Sequence, residues 1–442
     1  MKLIKPVPEI FLIDQVTGKS GLAELIAFPE NAQDTADFLK DASKQGKKVI
    51  TIGSGTGLVG ALQSKAGHYL LSTEKINKII SIDEETLTLT VESGVTLAEI
   101  RDFLAETPYF YAPDPGSKEA TIGGNAATNA GGMRAIKYGV TRDNIRGIEV
   151  VLSDGRILQL GGLNNKSSSG FDLKDLFIGS EGTLGVITRL QLKIRPRPLQ
   201  ERHMLIGFKD LKDLSPVIFQ ILASPITPTA LEFVEKAGFS YGAKVVDATL
   251  PAIAGEFFLL LTVDGNVVAD LEQELAVIEV MALEAGAVST RLIAGQEAID
   301  TWLLRDHIVL GVKATSVYEP YDLVVPVNQI ATAILRLQEL AGIHLVEAVF
   351  FGHAGDGNIH LTVLKGAITE QQWVERLASY NEAVYQVIHE LGGLPSAEHG
   401  IGTMKKQYLL NTLGEDHIKL MRQVKLAIDP TNTLNPGKIV DL

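Results

Sequence analysis

The stretch Pro113–Gly132, PDPGSKEATIGGNAATNAGG, constrains this chain more than any other. It is nearly free of large side chains, yet it lies between segments that read as ordinary folded core. Gly116, Gly123, Gly124, Gly131 and Gly132 let the backbone approach something closely or turn with φ > 0. Asn125, Thr128 and Asn129 add short hydrogen-bonding groups, and the alanines between them keep the walls low. A flexible linker would carry more serine, proline and charge. The run therefore reads as a cradle in which main chain wraps a large polar cofactor.

A second glycine loop lies upstream. Lys48–Ile52 reads as a short strand, and Gly53-Ser-Gly-Thr-Gly57 follows it. Bare N–H groups after a strand can bind phosphate oxygens, although such a loop taken alone is also a plain tight turn. It is not the dinucleotide GxGxxG fingerprint, because the spacing fails and no βαβ unit with an acidic ribose residue follows. It also lacks the GK[ST] ending of a P-loop.

Around these loops the chain reads as folded throughout. Asn31–Gln45 and Thr96–Leu104 have helical periodicity, and Ile79–Ile82, Leu87–Glu92 and Val186–Ile194 read as strands. Ile145–Leu152 and Arg156–Leu160 flank a Ser153-Asp-Gly155 hairpin turn. After Arg195-Pro-Arg-Pro198 the texture becomes helices alternating with strands. Leu211–Ala223, Val268–Ala285, Val327–Leu340 and Glu370–Leu391 read as helices. Phe257–Val263, Tyr321–Val325, Ala348–Gly352 and Ile359–Val363 read as strands, which suggests an antiparallel sheet with helices on one face. A length of 442 residues allows two or three domains, and 45% hydrophobic against 21% charged content marks a globular chain. No transmembrane segment is expected, since the most apolar run, Phe257–Thr262, is too short to cross a bilayer. MKLIKPVPEI shows no secretory signal, so the expected location is cytoplasmic, or at a membrane periphery through a partner. The absence of cysteine removes disulfides, Cys-ligated iron–sulfur clusters and a cysteinyl flavin. A net charge of −13 argues against nucleic acid as a partner.

Taken in order, the motifs resemble a known family. IGSGTGLVG (Ile52–Gly60), the Pro113–Gly132 block and DLFIGSEGTLGVIT (Asp175–Thr188) look like the flavin-binding half of vanillyl-alcohol-oxidase-type flavoproteins. FGHAGDGNIHL (Phe351–Leu361), SAEHGIG (Ser396–Gly402) and Asn435-Pro-Gly-Lys438 resemble, more narrowly, the branch holding the glycolate oxidase D subunit, D-lactate dehydrogenase and D-2-hydroxyglutarate dehydrogenase. The resemblance runs from about Phe28 to the C-terminus. It implies an α+β protein. Residues 1–198 would be a PCMH-type FAD-binding domain of two subdomains, and residues 199–395 an antiparallel-sheet-and-helix cap that takes the substrate. Residues 396–442 would return to complete the active site and the FAD domain. The cofactor positions it implies are Ile52, Gly53, Ser54, Gly55, Thr56, Gly57, Pro113, Gly116, Ser117, Gly123, Asn125, Thr128, Gly182, Ile187 and Asn435. FAD is expected to be non-covalent, since the first loop offers only Ser54 and Thr56 and His68 lies well past it. Glu181 and Lys438 are left out of this set, because a structural role is equally open to them.

The chemistry gathers near the end of the chain. His353 and His360 flank Ala354-Gly-Asp-Gly357, and a hairpin there would bring both imidazoles to one end. With a carboxylate such as Glu398 they would make a His₂Glu set for zinc, manganese, cobalt or iron. H-x6-H alone is equally a pair of hairpin polar residues. The resemblance implies His353, His360 and Glu398 as metal ligands, His399 as general base and Asn358 on the substrate. An imidazole titrates near neutrality, which suits removal of a hydroxyl proton; the plainer role for His399 is support of Glu398. Arg305, in Trp302-Leu-Leu-Arg-Asp306, is the carboxylate-binding candidate by resemblance, whereas composition alone suggests a solvated helix arginine paired with Asp306.

The 2-hydroxyglutarate enzymes carry a threonine one turn after that arginine and a lysine before the following strand. Val309 and Pro320 occupy those positions here by spacing, so a second carboxylate would face apolar groups. A small D-2-hydroxy monoacid, D-lactate or glycolate, is the expected substrate; Lys313 or another lysine would readmit a diacid if the spacing is off by a turn. A non-catalytic flavin subunit would lack the histidine cluster, and a transferase of this fold would carry neighbouring histidines not found here. A metal hydrolase would leave the glycine loops unexplained. Electrons are expected to pass to a separate electron-transfer protein, an iron–sulfur subunit or a quinone. A homodimer is the expected assembly.

Overall fold

The computed structural model describes residues 1–442 apart from Gln15, Thr17 and Lys19. The chain divides into two compact units. The first comprises Met1–Gly132, Tyr138–Arg197 and Glu398–Leu442, and the second comprises Met133–Lys137 and Pro198–Ala397. The pentapeptide Met133–Lys137, placed inside 1–198 by the sequence, thus groups with the second unit.

The first unit holds two sheets. In the four-stranded one, Val49–Ile52 and Leu25–Phe28 flank Tyr69–Ser72 in parallel, and Lys2–Ile4 closes the edge. These short parallel strands are apolar and largely buried, as parallel strands covered on two faces should be. Helix Ala32–Lys44 starts where Asn31 accepts the amide of Asp34, and it buries Ala36, Phe38, Leu39 and Ala42. The six-stranded sheet is organised by Val186–Pro196, which pairs with Thr88–Glu92, Ile145–Val151 and, at its far end, Tyr109–Tyr111. The C-terminal segment belongs to this unit: Leu434 is buried beside Val49, Tyr69 and Val186. The buried Lys425 fastens it by donating to Asp429, to the Thr183 carbonyl at 2.7 Å and to the Leu434 carbonyl at 2.9 Å.

The alanine–glycine run contains an element that periodicity did not show, the helix Ile122–Thr128. Thr121 caps it by accepting the amide of Gly124, and Asn129 ends it at φ 54°. A glycine is required at 123 because a Cβ there would stand 2.6 Å from the Ser93 Cβ and 2.8 Å from the Ser93 carbonyl oxygen. Low side chains in this run therefore serve helix packing as well as ligand access.

The second unit is built on a seven-stranded antiparallel sheet. Its order is Ser289–Ile293, Gln200–Phe208, Phe257–Gly265, Ala230–Glu235, Glu347–His353, Asn358–Leu364 and Tyr318–Val324. Helices cover both faces, not one. Met204, Ile206, Leu259 and Leu261 pack with the helices Leu214–Ala223, Val268–Glu284, Ile330–Ile343 and Glu370–Glu390. Leu205, Phe258, Leu260 and Val349 pack on the opposite side with Lys236–Gly242, Gly295–Asp306 and Ile308–Thr315. The cause is legible in Phe257-Phe-Leu-Leu-Leu-Thr-Val263, whose side chains are apolar on both faces and so need two covers.

Within that core, Glu235 accepts from the Phe350 amide at 3.0 Å and from Gln338 Nε2 at 2.6 Å, and burial pushes its carboxyl from the ordinary 4.5 up to about 7. Between those values the folded chain holds a proton that the unfolded chain releases. This contribution is therefore fully present below about 4.5 and lost as pH rises through 7. At about 1.36 kcal/mol per pH unit the span is on the order of 3 kcal/mol. We predict that Glu235→Gln flattens the stability slope between about pH 5 and 8 in urea unfolding, and that it exceeds the parent at about pH 8 by roughly 1–3 kcal/mol. An unchanged slope in the variant would show that Glu235 does not titrate there.

Candidate active site

In the first unit, Gly53–Gly57 leaves the end of Val49–Ile52 as an open loop. Among the described residues, the amides of Ser54, Gly55, Thr56 and Gly57 donate to no other protein group. Ser54 Oγ donates to the Glu119 carbonyl, tying this loop to the alanine–glycine run. A Cβ on Gly53 would lie 2.4 Å from Thr121 Oγ1, so glycine is what lets the two loops meet. Gly116 and Ser117 are exposed and Pro113 is buried. Asn125 is 5% exposed, and its buried Nδ2 has no hydrogen-bond partner. A buried donor left unmet in this way costs free energy unless a ligand accepts from it, so the loop amides and Asn125 fit a large, oxygen-rich group such as FAD.

Other expected cofactor positions act differently. Thr128 Oγ1 bonds back to the Gly124 carbonyl at 3.2 Å, and the side chains of Ile52 and Ile187 are buried in apolar clusters, leaving main chain as what those two can offer. Asn435 is a staple: Oδ1 accepts from the Thr51 amide at 2.9 Å, and Nδ2 donates to the Glu181 carbonyl at 2.6 Å. That Nδ2 would lie only 2.7 Å from a Cβ on Gly182. Glu181 holds the amides of Ile401 and Gly402 at 2.6 and 2.8 Å, while burial pushes its carboxyl up. It therefore fixes the turn that directly follows the half-buried His399. Lys438 donates to the Gln63 carbonyl at 3.0 Å, and burial pushes its ammonium down to about 8. Glu398 lies against the cradle, since a Cβ on Gly131 would stand 3.0 Å from its carboxyl carbon.

In the second unit, Glu347–His353 and Asn358–Leu364 form the expected hairpin, with Phe351 opposite His360. The two imidazoles meet edge to face, and His353 Nε2 and His360 Nε2 are 3.4 Å apart. Two imidazole nitrogens on one tetrahedral ion at about 2.0–2.1 Å would be separated by roughly 3.4 Å. The pair therefore fits a divalent cation. Asn358, 2% exposed, gives Nδ2 to Asp322 Oδ1 at 3.0 Å and to the Leu323 carbonyl at 2.8 Å. Its buried Oδ1 has no partner, which leaves an oriented acceptor for a hydroxyl or amide.

Arg305 ends the helix Gly295–Asp306 and is 9% exposed, so it is not the solvated residue that composition suggested. Asp306 Oδ1 lies 3.6 Å from Nη1, but the closer partner is Glu232, a fully buried carboxylate. Glu232 Oε2 accepts from Arg305 Nη2, and its Oε1 is 2.7 Å from His353 Nδ1. Burial would raise the Glu232 carboxyl, but the Arg305 guanidinium and the His353 imidazole hold it below the usual carboxylate range. Arg305 Nε is buried without a partner. Asp322, also fully buried, receives Asn358 on one oxygen and Ser396 Oγ and the Ala397 amide on the other, at 2.9 and 3.0 Å.

Sequence reasoning missed Glu232 and Asp322. Each is an acidic residue inside an apolar strand, in Ala-Leu-Glu-Phe-Val-Glu235 and Tyr-Asp-Leu-Val-Val325, and a charge in such a run is the signal that marks them. The chain is also kinked at His307, after which Ile308–Thr315 begins. Val309 thus lies on a new helix, not one turn along the helix of Arg305. It is half-buried in an apolar cluster, Pro320 is half-buried, and Lys313 is exposed.

The model of the FAD linked oxidase C-terminal domain matches residues 197–439, and that of an FAD binding domain matches residues 23–161. The chain is 38% identical over 424 residues to a D-lactate dehydrogenase of Anaerostipes hadrus, covering 94% of this chain and 89% of that one. It is 33% identical to the glycolate oxidase subunit GlcD of Bacillus subtilis, covering 97% and 92%. It is 30% identical to a D-2-hydroxyglutarate dehydrogenase of Stutzerimonas stutzeri, covering 94% and 90%. Among solved structures it resembles p-cresol methylhydroxylase with TM-score 0.79 at 17% identity over 98% of this chain and 92% of that one. It resembles alkyldihydroxyacetonephosphate synthase with TM-score 0.73 at 18% identity, covering 95% and 77%. At such identities these two likenesses speak to fold alone.

Proposed function

The chain belongs to the family of FAD linked oxidases, and from that membership we propose that it oxidises a small D-2-hydroxy monocarboxylic acid, D-lactate or glycolate, to the 2-oxo acid. The observation that carries this reading is the buried Glu232–Arg305–His353 set, with His360 Nε2 3.4 Å from His353 Nε2. It combines a fixed guanidinium for a carboxylate with an imidazole pair for a cation. We propose His353, His360 and Glu398 as ligands of that cation.

FAD, when bound, would supply a hydride acceptor, and a divalent cation held by His353, His360 and Glu398 would supply Lewis acidity. Arg305 holds the substrate carboxylate, and Asn358, with Nδ2 committed to Asp322 and Leu323, offers Oδ1 as an acceptor. His399 takes the hydroxyl proton onto an imidazole nitrogen. Pro320, two residues before Asp322 on the same strand, offers no donor to a second carboxylate, which favours a monoacid. The electron acceptor is proposed to be a separate protein or a quinone, since a chain without cysteine holds no Cys-ligated iron–sulfur relay of its own.

The test is anaerobic bleaching of the flavin bands with D-lactate, L-lactate, glycolate or D-2-hydroxyglutarate, each with and without a chelator. Fast bleaching by D-lactate or glycolate, lost with chelator and restored by a divalent ion, is expected. Bleaching by D-2-hydroxyglutarate alone would replace the substrate and keep the mechanism. Bound FAD that none of the four bleaches would overturn the reading in favour of a non-catalytic flavin subunit.

A further inference from the structure

One carboxylate in the second unit has two charged or titratable partners and no role yet. Glu232 lies on Ala230–Glu235, directly opposite His353 in the sheet register. Its oxygens are divided: Oε1 faces His353 Nδ1 at 2.7 Å, and Oε2 accepts from Arg305 Nη2. The side chain is fully buried.

We propose that Glu232 is a shared positioning residue, which sets the tautomer of His353 and the orientation of Arg305 with a single carboxylate. A neutral imidazole has one donor and one acceptor nitrogen. With Nδ1–H given to Glu232, Nε2 is the acceptor, and Nε2 is the nitrogen that points at His360. A carboxylate behind a ligating histidine raises its basicity and locks its ring. The other oxygen pins one guanidinium nitrogen and leaves the buried Arg305 Nε–H available to a substrate carboxylate.

This inference rests on the proposed cation at His353 and His360, and the test separates the two. FAD-loaded protein, freed of metal by a chelator, is titrated with Co²⁺ while its visible d–d bands are followed. The KM and kcat for D-lactate are measured in parallel. Glu232→Gln keeps shape and removes charge. It is expected to weaken Co²⁺ binding about 10- to 100-fold, to shift the Co²⁺ bands and to raise KM more than it lowers kcat. Glu232→Asp, too short to reach both partners, is expected to recover one of the two effects. His353→Ala is the control. If it leaves Co²⁺ affinity unchanged, the cation reading itself fails. If it abolishes binding while Glu232→Gln stays within about twofold of the parent in Co²⁺ affinity and KM, the role of Glu232 is overturned. Should Glu232→Gln fail to retain FAD, long-range ¹⁵N spectra of histidine-labelled, metal-free parent protein decide the point. They are expected to show His353, assigned by its loss in His353→Ala, as the Nδ1–H tautomer; an Nε2–H tautomer would overturn the proposal.

Discussion

Replacing His399 with glutamine is expected to slow flavin reduction by D-lactate by about 10²- to 10⁴-fold, the usual worth of a positioned general base. FAD content should stay near the parent value, because Glu181 holds the turn after His399 through the amides of Ile401 and Gly402. Rapid mixing under anaerobic conditions reads the chemical step directly. A loss below about tenfold would return His399 to the plainer role of supporting Glu398, and the proton would then need another acceptor.

Arg305→Met should combine two effects. It removes the charged hydrogen bonds to the substrate carboxylate, each worth about 1.5–3 kcal/mol, so kcat/KM for D-lactate is expected to fall about 10²- to 10⁴-fold, mostly through KM. It also leaves Glu232 as a buried carboxylate without its cation, and breaking such a pair typically costs about 3–5 kcal/mol of stability. Arg305→Lys keeps a charge near Glu232 but loses the planar fork, and should regain more stability than affinity. Urea unfolding and steady-state kinetics on both variants separate the two effects. If KM in Arg305→Met stayed within about threefold of the parent, another cation would hold the carboxylate.

Elements with their own local signals were readable in advance. Asn31 before an amphipathic run placed the helix Ala32–Lys44, and Thr96 with Glu99 forms a capping box that starts Leu97–Ala105. The hairpin around Ala354-Gly-Asp-Gly357 followed from glycine between two alternating segments, and the strand period put Asn358 and His360 on one face. Elements without such signals were missed. Gln200–Phe208 and Ser289–Ile293 carry charged or polar residues that break the apolar pattern, and Ile122–Thr128 is made of residues that also suit a loop. The single-faced cap was a misreading of Phe257–Val263, where continuous apolarity means two covered faces.

By itself the sequence determined the types of group present and their local spacing: bare glycine amides after a strand, two imidazoles across a tight turn, and no thiol anywhere. Those properties depend on residues near one another in the chain, where backbone geometry leaves few alternatives. Only the tertiary structure decided which partners the buried charges take. Glu232 reaches His353 across 121 positions and Arg305 across 73, and Asn435 reaches Thr51 across 384. Such pairings arise because a polar group enclosed by a packed core must find a partner wherever the fold brings one, and sequence distance carries no information about that.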